Sequence, residues 1–218
     1  MGWDPSKEYK SAEVASTYDA IRFRSIAGRI FNRREQNIII RCFSALATGS
    51  TIADVPCGTG RLAAPLLRHG YQIHGIDISP NMLQVAADHL KSFGPRFTCE
   101  TMDVMAIGER HAIYDGVLCA RVLMHFPLHQ QIEFLEKVST LSDKIVVINH
   151  GLDTPYHRFR HRVKKLLGMN AVPARFPIKP GDIPLLLAKA KLVEVKRYRM
   201  MRFLSEAVYI VTCVDERQ

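Results

Sequence analysis

Short apolar runs alternate with amphipathic stretches between residues 51 and 150. The apolar runs have the length of buried strands, and Asp or Gly follows most of them. The predicted strands are 51–55, 71–77, 96–103, 115–120 and 144–149. Because helical stretches separate most of these strands, the pattern predicts a parallel sheet covered by helices.

Three helices are predicted between these strands. The middle one has the clearest start, since Ser79 supplies an N-cap and Pro80 a first-turn proline. An earlier helix begins near Gly60, and its Pro65 must lie in the first turn to avoid a kink. The predicted helices cover about 60–69, 79–91 and 128–141.

The two ends of the chain differ from this central pattern. Residues 1–50 have helical periodicity, which is strongest from about 34 to 46, and predict an N-terminal helical cap. Near the C-terminus, a helix over 182–191 precedes two extended runs with a very short link, which predicts an antiparallel hairpin.

A basic stretch without clean alternation separates the central pattern from the hairpin, and we interpret residues 152–179 as an insertion. The sequence of residues 157–167 predicts a basic amphipathic helix. Its apolar side would contain Phe159, Val163, Leu166 and Leu167. We therefore predict a single domain over 1–218, composed of the cap (1–50), the core (51–150), the insertion (152–179) and the final helix and hairpin (180–218).

Composition excludes several classes of protein. The 218 residues are 47% hydrophobic, without low-complexity tracts, which is typical of a globular chain. No apolar run approaches the roughly 18 residues of a membrane span, and the first ten residues are polar, so we expect a cytoplasmic protein. The five cysteines lack CxxC spacing and the nine histidines lack a metal-binding pattern, so neither a disulfide framework nor a metal site is predicted.

The formal net charge of +9 is concentrated near the C-terminus. Residues 151–218 contain 14 basic and 6 acidic side chains. Such an excess attracts anionic substrates, phospholipid surfaces or nucleic acids. A solvated basic face that keeps the protein soluble explains the same excess.

A glycine-containing turn, DVPCGTGRL (54–62), connects the first strand to the first helix. Nucleotide-dependent dehydrogenases and methyltransferases share such turns, because glycine lets the backbone approach a ligand closely. Here the third glycine of the dinucleotide pattern is missing, and Asp54 would face a pyrophosphate. The turn therefore favours a ligand with nearby positive charges, such as the ammonium and sulfonium of S-adenosylmethionine.

Two further aspartates follow the next two strands. Asp77 lies 23 residues after Asp54, where nucleoside-binding α/β proteins place an acceptor for ribose hydroxyls. Asp103 lies where it could accept a hydrogen bond from the amine of an adenine. Any one of them could instead cap a helix or end a strand, but the set of three indicates a nucleoside site.

The sequence resembles the class I S-adenosylmethionine-dependent methyltransferases, in the branch of small-molecule and lipid methyltransferases that includes ubiquinone-biosynthesis enzymes. The motifs that carry the resemblance are DVPCGTG (54–60), IHGIDISPNML (73–83), MDV (102–104) and YDGVLCARVLMHFP (114–127). The resemblance implies an α/β fold with a Rossmann-like, doubly wound, seven-stranded sheet, mostly parallel, with a C-terminal antiparallel hairpin. Pro56 departs from the family pattern, because it replaces the first glycine of the turn.

The resemblance also implies S-adenosylmethionine as the cofactor and assigns residues to it. It implies that Arg34 reaches the cofactor carboxylate, although Arg33 suits this role equally on charge. The implied cofactor-binding residues are Arg34, Asp54, Gly58 and Gly60 at the methionyl end, Asp77 and Ile78 near the ribose, Asp103 and Val104 at the adenine, and Ala120 through its backbone.

Candidate catalytic residues are fewer. His150 directly follows the fifth strand, and a neutral imidazole there could take a proton from an acceptor hydroxyl. Tyr18 looks like the aromatic residue that family members place in a lid over the methyl donor, although a core tyrosine fits as well. His125 matches a histidine frequent in this branch, at a position more typical of packing or capping. Cys57 and Cys119 are predicted to be packing residues.

We interpret the chain as a methyltransferase that acts on an oxygen or nitrogen of a small-molecule or lipid-like, anionic acceptor. Two alternatives remain: an RNA methyltransferase, favoured by the basic pI of about 9.5 but opposed by the lack of base-stacking aromatic motifs, and a non-catalytic protein that binds S-adenosylmethionine. The insertion is predicted to close over the acceptor or to contact an anionic membrane, unless it is only a solvated face.

Overall fold

A seven-stranded sheet forms the centre of the computed structural model, which describes residues 25–107, 113–166, 168, 176–201 and 205–214. The strands are β1 (Thr51–Asp54), β2 (Gln72–Asp77), β3 (Phe97–Thr101), β4 (Gly116–Cys119), β5 (Ile145–Gly151), β6 (Leu192–Arg199) and β7 (Ala207–Val214). Tyr18 and Leu167, singled out in the sequence, lie outside the described residues.

The strand order is β3-β2-β1-β4-β5-β7-β6. The first five strands pair in parallel, whereas β7 is antiparallel to both β5 and β6. This arrangement confirms the predicted sheet and its C-terminal hairpin. The strand order reverses between β1 and β4, and open α/β sheets bind ligands at such a switch point.

Helices connect most of the strands, and the observed ends of those after β1 agree with the predictions to within a few residues, whereas α1 begins eight residues before the predicted stretch of 34–46. The described helices are α1 (Ile26–Cys42), α2 (Ala63–Arg68), α3 (Pro80–Leu90), α4 (Leu128–Ser139), α5 (Pro155–Leu166) and α6 (Ile183–Lys189), with short 3-10 turns at Lys91–Arg96, Val104–Ala106, Leu123–His125 and Pro180–Asp182. The Ser79 hydroxyl accepts a hydrogen bond from the Met82 N–H at 3.3 Å, which confirms the predicted N-cap of α3. Of the helices described, none has the length and apolar character needed to cross a bilayer.

The core lies on both faces of the sheet because successive strand residues point in opposite directions. In β1, Ile52 belongs to the apolar cluster that includes Ile39 of α1, whereas Ala53 belongs to the cluster that includes Leu135 of α4. Each fully buried leucine or isoleucine contributes about 1.5–3 kcal/mol. With both faces covered by helices, the carboxyl edge of the parallel strands is the part of the sheet available to a ligand.

Candidate functional site

A cavity of about 350 Å³ opens at this carboxyl edge. Its walls come from the glycine turn after β1 and from the segments that follow β2, β3 and β4. The volume lies within the range of small-molecule sites, about 300–1,000 Å³. The cavity brings together seven of the predicted cofactor-binding residues: Asp54, Gly58, Asp77, Ile78, Asp103, Val104 and Ala120.

Asp54 ends β1, lines this cavity and is only 1% exposed. Its Oδ2 is buried without a hydrogen-bond partner among the described residues. Burial raises the pKa of this carboxyl well above its usual value, the charge of Asp77 raises it further, and Arg61 opposes the change. A buried acceptor without a donor is unfavourable, so this oxygen is suited to a cationic donor on a ligand.

Asp77 ends β2 and is held by backbone amides. Its Oδ2 accepts from the Gly58 N–H at 2.8 Å, and its Oδ1 accepts from the Ser79 N–H at 2.9 Å. Burial raises the pKa of Asp77, while these backbone hydrogen bonds lower it. The amides fix the carboxylate and leave acceptor capacity on both oxygens, which suits a pair of neighbouring hydroxyl groups.

The two glycines of the turn have different roles. Gly58 lines the cavity with φ of 55°, and a Cβ there would meet nothing within 4 Å. Gly60 is not among the lining residues; with φ of 72°, its Cβ would lie 2.6 Å from Cδ1 of Leu90. The structure therefore assigns Gly60 to close packing of the turn against α3 rather than to ligand contact.

Asp103 lines the cavity next to Val104. Its Oδ1 accepts from the Met105 N–H at 2.9 Å and caps the short turn at Val104–Ala106. The side chain is exposed, unlike Asp54 and Asp77. Capping thus orients Asp103 without removing it from the cavity wall.

A buried ionic cluster that the sequence did not reveal forms another wall. The Glu35 carboxylate lies 2.6 Å from Nη2 of Arg121 and 2.9 Å from Nη1 of Arg61, and it accepts from the Tyr209 hydroxyl at 2.7 Å. Burial opposes ionisation of Glu35, but the two arginines and the Tyr209 hydroxyl hold its pKa below the usual value. Because both arginines line the cavity and share one carboxylate, the cluster presents net positive charge to an anionic ligand group.

These groups fit S-adenosylmethionine well. Asp54 suits the ammonium, Asp77 the two ribose hydroxyls, Asp103 the adenine amine and the arginine cluster the carboxylate. Within the described ranges, no three His, Cys, Asp or Glu side chains are grouped so that they could hold a metal ion.

Comparisons with known proteins agree with this assignment. Residues 52–143 match a family model described as a methyltransferase domain. The chain is 30% identical over 109 residues to magnesium-protoporphyrin O-methyltransferase from Synechocystis, an alignment that covers 49% of this chain and 46% of that protein. It is 36% identical over 126 residues to ubiquinone biosynthesis O-methyltransferase from Vibrio cholerae, covering 57% of this chain and 51% of the relative. The chain thus spans about half the length of the curated relatives it matches.

The fold is also shared. The crystal structure of magnesium protoporphyrin IX methyltransferase from Synechocystis with bound S-adenosylmethionine superposes with a TM-score of 0.70 at 17% identity, covering 98% of this chain and 99% of that chain. A methyltransferase from Clostridium acetobutylicum superposes with a TM-score of 0.68 at 14% identity, covering 91% and 98%. Residues 52–143 therefore match a methyltransferase domain, and the chain shares the fold of S-adenosylmethionine-dependent methyltransferases.

The sequence predicted that His150 faces the acceptor at this cavity. The structure corrects that expectation. His150 is the penultimate residue of β5, is 1% exposed and is not among the lining residues. Its Nε2 lies 2.9 Å from Oε1 of Gln131, and burial lowers its pKa to about 4. His150 therefore joins β5 to α4 and does not face an acceptor.

Arg34 is likewise not among the cavity-lining residues. Its Nε donates to the Met200 carbonyl, and the side chain is exposed. Arg33 is exposed as well. Arg61 and Arg121 instead bring guanidinium groups to the methyltransferase cavity.

His125 is the histidine that lines the cavity, at the end of the 3-10 turn after β4. Phe126 and Phe134 also line the cavity. The Cys57 and Cys119 thiols are buried, and burial raises the pKa of both, so they remain protonated and act as packing groups, as predicted.

Proposed function

We propose that this methyltransferase transfers the methyl group of S-adenosylmethionine to an oxygen of a small-molecule acceptor that carries a carboxylate or phosphate. The observation that carries the proposal is a single cavity lined both by Asp54, Asp77 and Asp103, which we call the aspartate edge, and by His125, Phe126 and Phe134. The names of the curated relatives, which are O-methyltransferases, support oxygen as the acceptor atom.

The described residues would hold the two ends of the cofactor by different means. Asp54 would accept hydrogen bonds from the ammonium, and Arg61 would donate to the carboxylate. Asp77 would accept from both ribose hydroxyls, and Asp103 would accept from the adenine amine. Charge-assisted hydrogen bonds are about twice as strong as neutral ones, so the amino-acid end would supply much of the binding energy.

S-adenosylmethionine supplies a methyl group already activated by its sulfonium. The protein therefore has to align the acceptor and exclude water, and Phe126 and Phe134 form the apolar wall that does so. His125 would take the proton that the acceptor hydroxyl loses as the new C–O bond forms and the C–S bond breaks. The proton would then pass from the imidazole to solvent.

Charge favours an anionic acceptor. The basic excess of residues 151–218, with 14 basic and 6 acidic side chains, would attract such an acceptor. Arg61 and Arg121 do not add to this attraction, because Glu35 and the cofactor carboxylate would offset their two charges.

The direct test is release of S-adenosylhomocysteine from S-adenosylmethionine in the presence of pooled hydroxylated acids, with their neutral esters in a parallel pool. We expect turnover with the acids and weaker turnover with the esters. Binding of S-adenosylhomocysteine without turnover on any acceptor would instead favour a non-catalytic binding protein. Equal turnover of acids and esters would overturn the anionic acceptor.

The role of His125 has a matched control in His129, an exposed histidine on α4. His125→Ala should lower kcat by about 10²- to 10⁴-fold, the usual contribution of general acid–base catalysis. His129→Ala should leave kcat unchanged, and both variants should bind S-adenosylhomocysteine normally. If His125→Ala retains full kcat, His125 is not the base.

A further inference from the structure

Helix α5 is oriented with its apolar side toward solvent. Tyr156, Phe159, Val163 and Leu166 are 46%, 66%, 36% and 86% exposed. Their spacing of three, four and three residues places them on one side of the helix. In a surface helix of a globular protein such a stripe normally packs against the core. We call these four residues the outer stripe.

The other side of α5 is polar and packs against the body of the protein. Arg160 lies 2.5 Å from the Glu206 carboxylate just before β7, and His161 lies 3.8 Å from the same carboxylate. His157 is buried, with Nδ1 2.9 Å from the Thr154 hydroxyl. These polar contacts fix the rotation of the helix, so exposure of the outer stripe follows from how α5 is anchored.

Basic side chains accompany the outer stripe. Residues 155–166 contain five Arg or Lys residues and no Asp or Glu. Arg158, Arg162 and Lys165 are exposed. Arg158 has an ion pair, with Asp153 at 2.9 Å. An exposed apolar stripe flanked by cations matches a bilayer surface with anionic headgroups, because apolar groups enter the acyl boundary while cations remain among the phosphates.

A second copy of this chain is a less favourable partner for the outer stripe than an anionic bilayer. Two outer stripes brought face to face would bring together two sets of arginine and lysine side chains, and like charges oppose such an interface. The same cations are favourable against anionic lipid.

We propose that α5 docks the protein on an anionic lipid bilayer through its outer stripe. Because α5 directly follows β5, it lies at the carboxyl edge of the sheet, where the cofactor cavity opens. Docking would therefore bring this edge of the enzyme to the membrane surface. The proposal does not depend on methyl transfer, because lipid binding is measured without cofactor or acceptor.

The test is flotation of the full chain with vesicles of phosphatidylcholine alone or mixed with phosphatidylserine. We expect binding to the mixed vesicles only, with affinity that falls as salt is raised, since the screening length shortens from about 10 Å at 0.1 M to about 3 Å at 1 M. Phe159→Ser combined with Leu166→Ser should reduce binding at least tenfold. Arg158→Ala combined with Arg162→Ala should reduce it roughly 30-fold at low salt, at about 1 kcal/mol for each cation.

Matched controls come from exposed apolar residues elsewhere. Val195 on β6 is 64% exposed and Leu185 on α6 is 48% exposed. Val195→Ser combined with Leu185→Ser should leave vesicle binding unchanged, and thermal unfolding should show that each variant is folded. Failure of the wild type to bind the mixed vesicles would overturn the proposal. So would a stable dimer, seen by light scattering, that Phe159→Ser with Leu166→Ser converts to a monomer.

Discussion

At the aspartate edge a polar side chain is buried, whereas in the outer stripe of α5 apolar side chains are exposed. Both arrangements are the reverse of what these residue types usually show. Asp54 is a carboxylate at 1% exposure, and Phe159 is an aromatic ring at 66% exposure. Carboxylates are seldom fully buried without a partner, and apolar side chains are favoured inside. Each arrangement is unfavourable until something else contacts the residue. This difference is consistent with the two proposed ligands, a small cationic group for Asp54 and an anionic lipid surface for α5.

Burial of an ionisable group does not by itself indicate a ligand, as His150 shows. It is as buried as Asp54, but Gln131 and the Gly151 carbonyl lie within hydrogen-bond distance of its two ring nitrogens. Asp54 differs because its Oδ2 has no such partner in the described part of the chain. The contrast between these two groups is testable through the pH dependence of stability.

The largest expected effect of pH on stability is acid destabilisation through His150. Its pKa falls from 6.5 to about 4 on folding, mainly through burial, so the unfolded chain binds a proton that the folded protein does not. Stability from this group is present above pH 6.5 and is lost as the pH falls toward 4, by about 3 kcal/mol. Urea unfolding of wild type and His150→Asn between pH 4 and 7 should give a flatter profile for the variant. Parallel profiles would contradict the prediction.

Asp54→Asn should weaken binding of the cofactor product but stabilise the protein without ligand. Loss of a charge-assisted hydrogen bond should weaken the binding of S-adenosylhomocysteine by about 1.5–3 kcal/mol. Binding of methylthioadenosine, which lacks the amino-acid end, should not change. Calorimetric titration of both ligands measures the difference, and equal weakening of both would show that Asp54 does not face the amino-acid end.

The same variant should be more stable than wild type without ligand. Burial raises the pKa of Asp54, so the folded protein holds its proton more tightly than the unfolded chain does. The stability that protonation gives is present at low pH and is lost as the pH rises through the folded pKa. The advantage of Asp54→Asn should therefore grow toward neutral pH, which is the opposite sign to the effect of His150.

Asp77→Ala should weaken the binding of both S-adenosylhomocysteine and methylthioadenosine, because both contain the ribose. Loss of two neutral hydrogen bonds corresponds to about 1–3 kcal/mol. The control is Asp88→Ala, since Asp88 is exposed on α3. Unchanged affinity for S-adenosylhomocysteine in a folded Asp77→Ala protein would remove Asp77 from the site.

The sequence predicted the aspartate edge because its signals are local. Each aspartate follows an apolar run, and parallel strands bring their carboxyl ends together whatever the rest of the chain does. The N-cap at Ser79 is local in the same way, since its partner is three residues away.

The parts of the site that the sequence missed depend on distant contacts. Glu35 and Tyr209 are 174 residues apart, and neither belongs to a recognisable motif. His150 was misplaced because β5 continues to Gly151, two residues past its predicted end, and so keeps the imidazole inside the sheet. The apolar side of α5 was predicted, but its outward direction depends on contacts with Glu206, which sequence periodicity does not show.

The smallest expected effect tests the outer stripe itself. Without lipid, Phe159→Ala should change the free energy of unfolding by no more than about 0.5 kcal/mol, as expected for an exposed side chain. Phe134 of α4, which is buried in the core, is the matched control, and Phe134→Ala should cost about 3–5 kcal/mol. Urea unfolding measures both. A cost for Phe159→Ala close to that of Phe134→Ala would mean that the ring packs against this chain, and α5 would then have no apolar surface to offer a membrane.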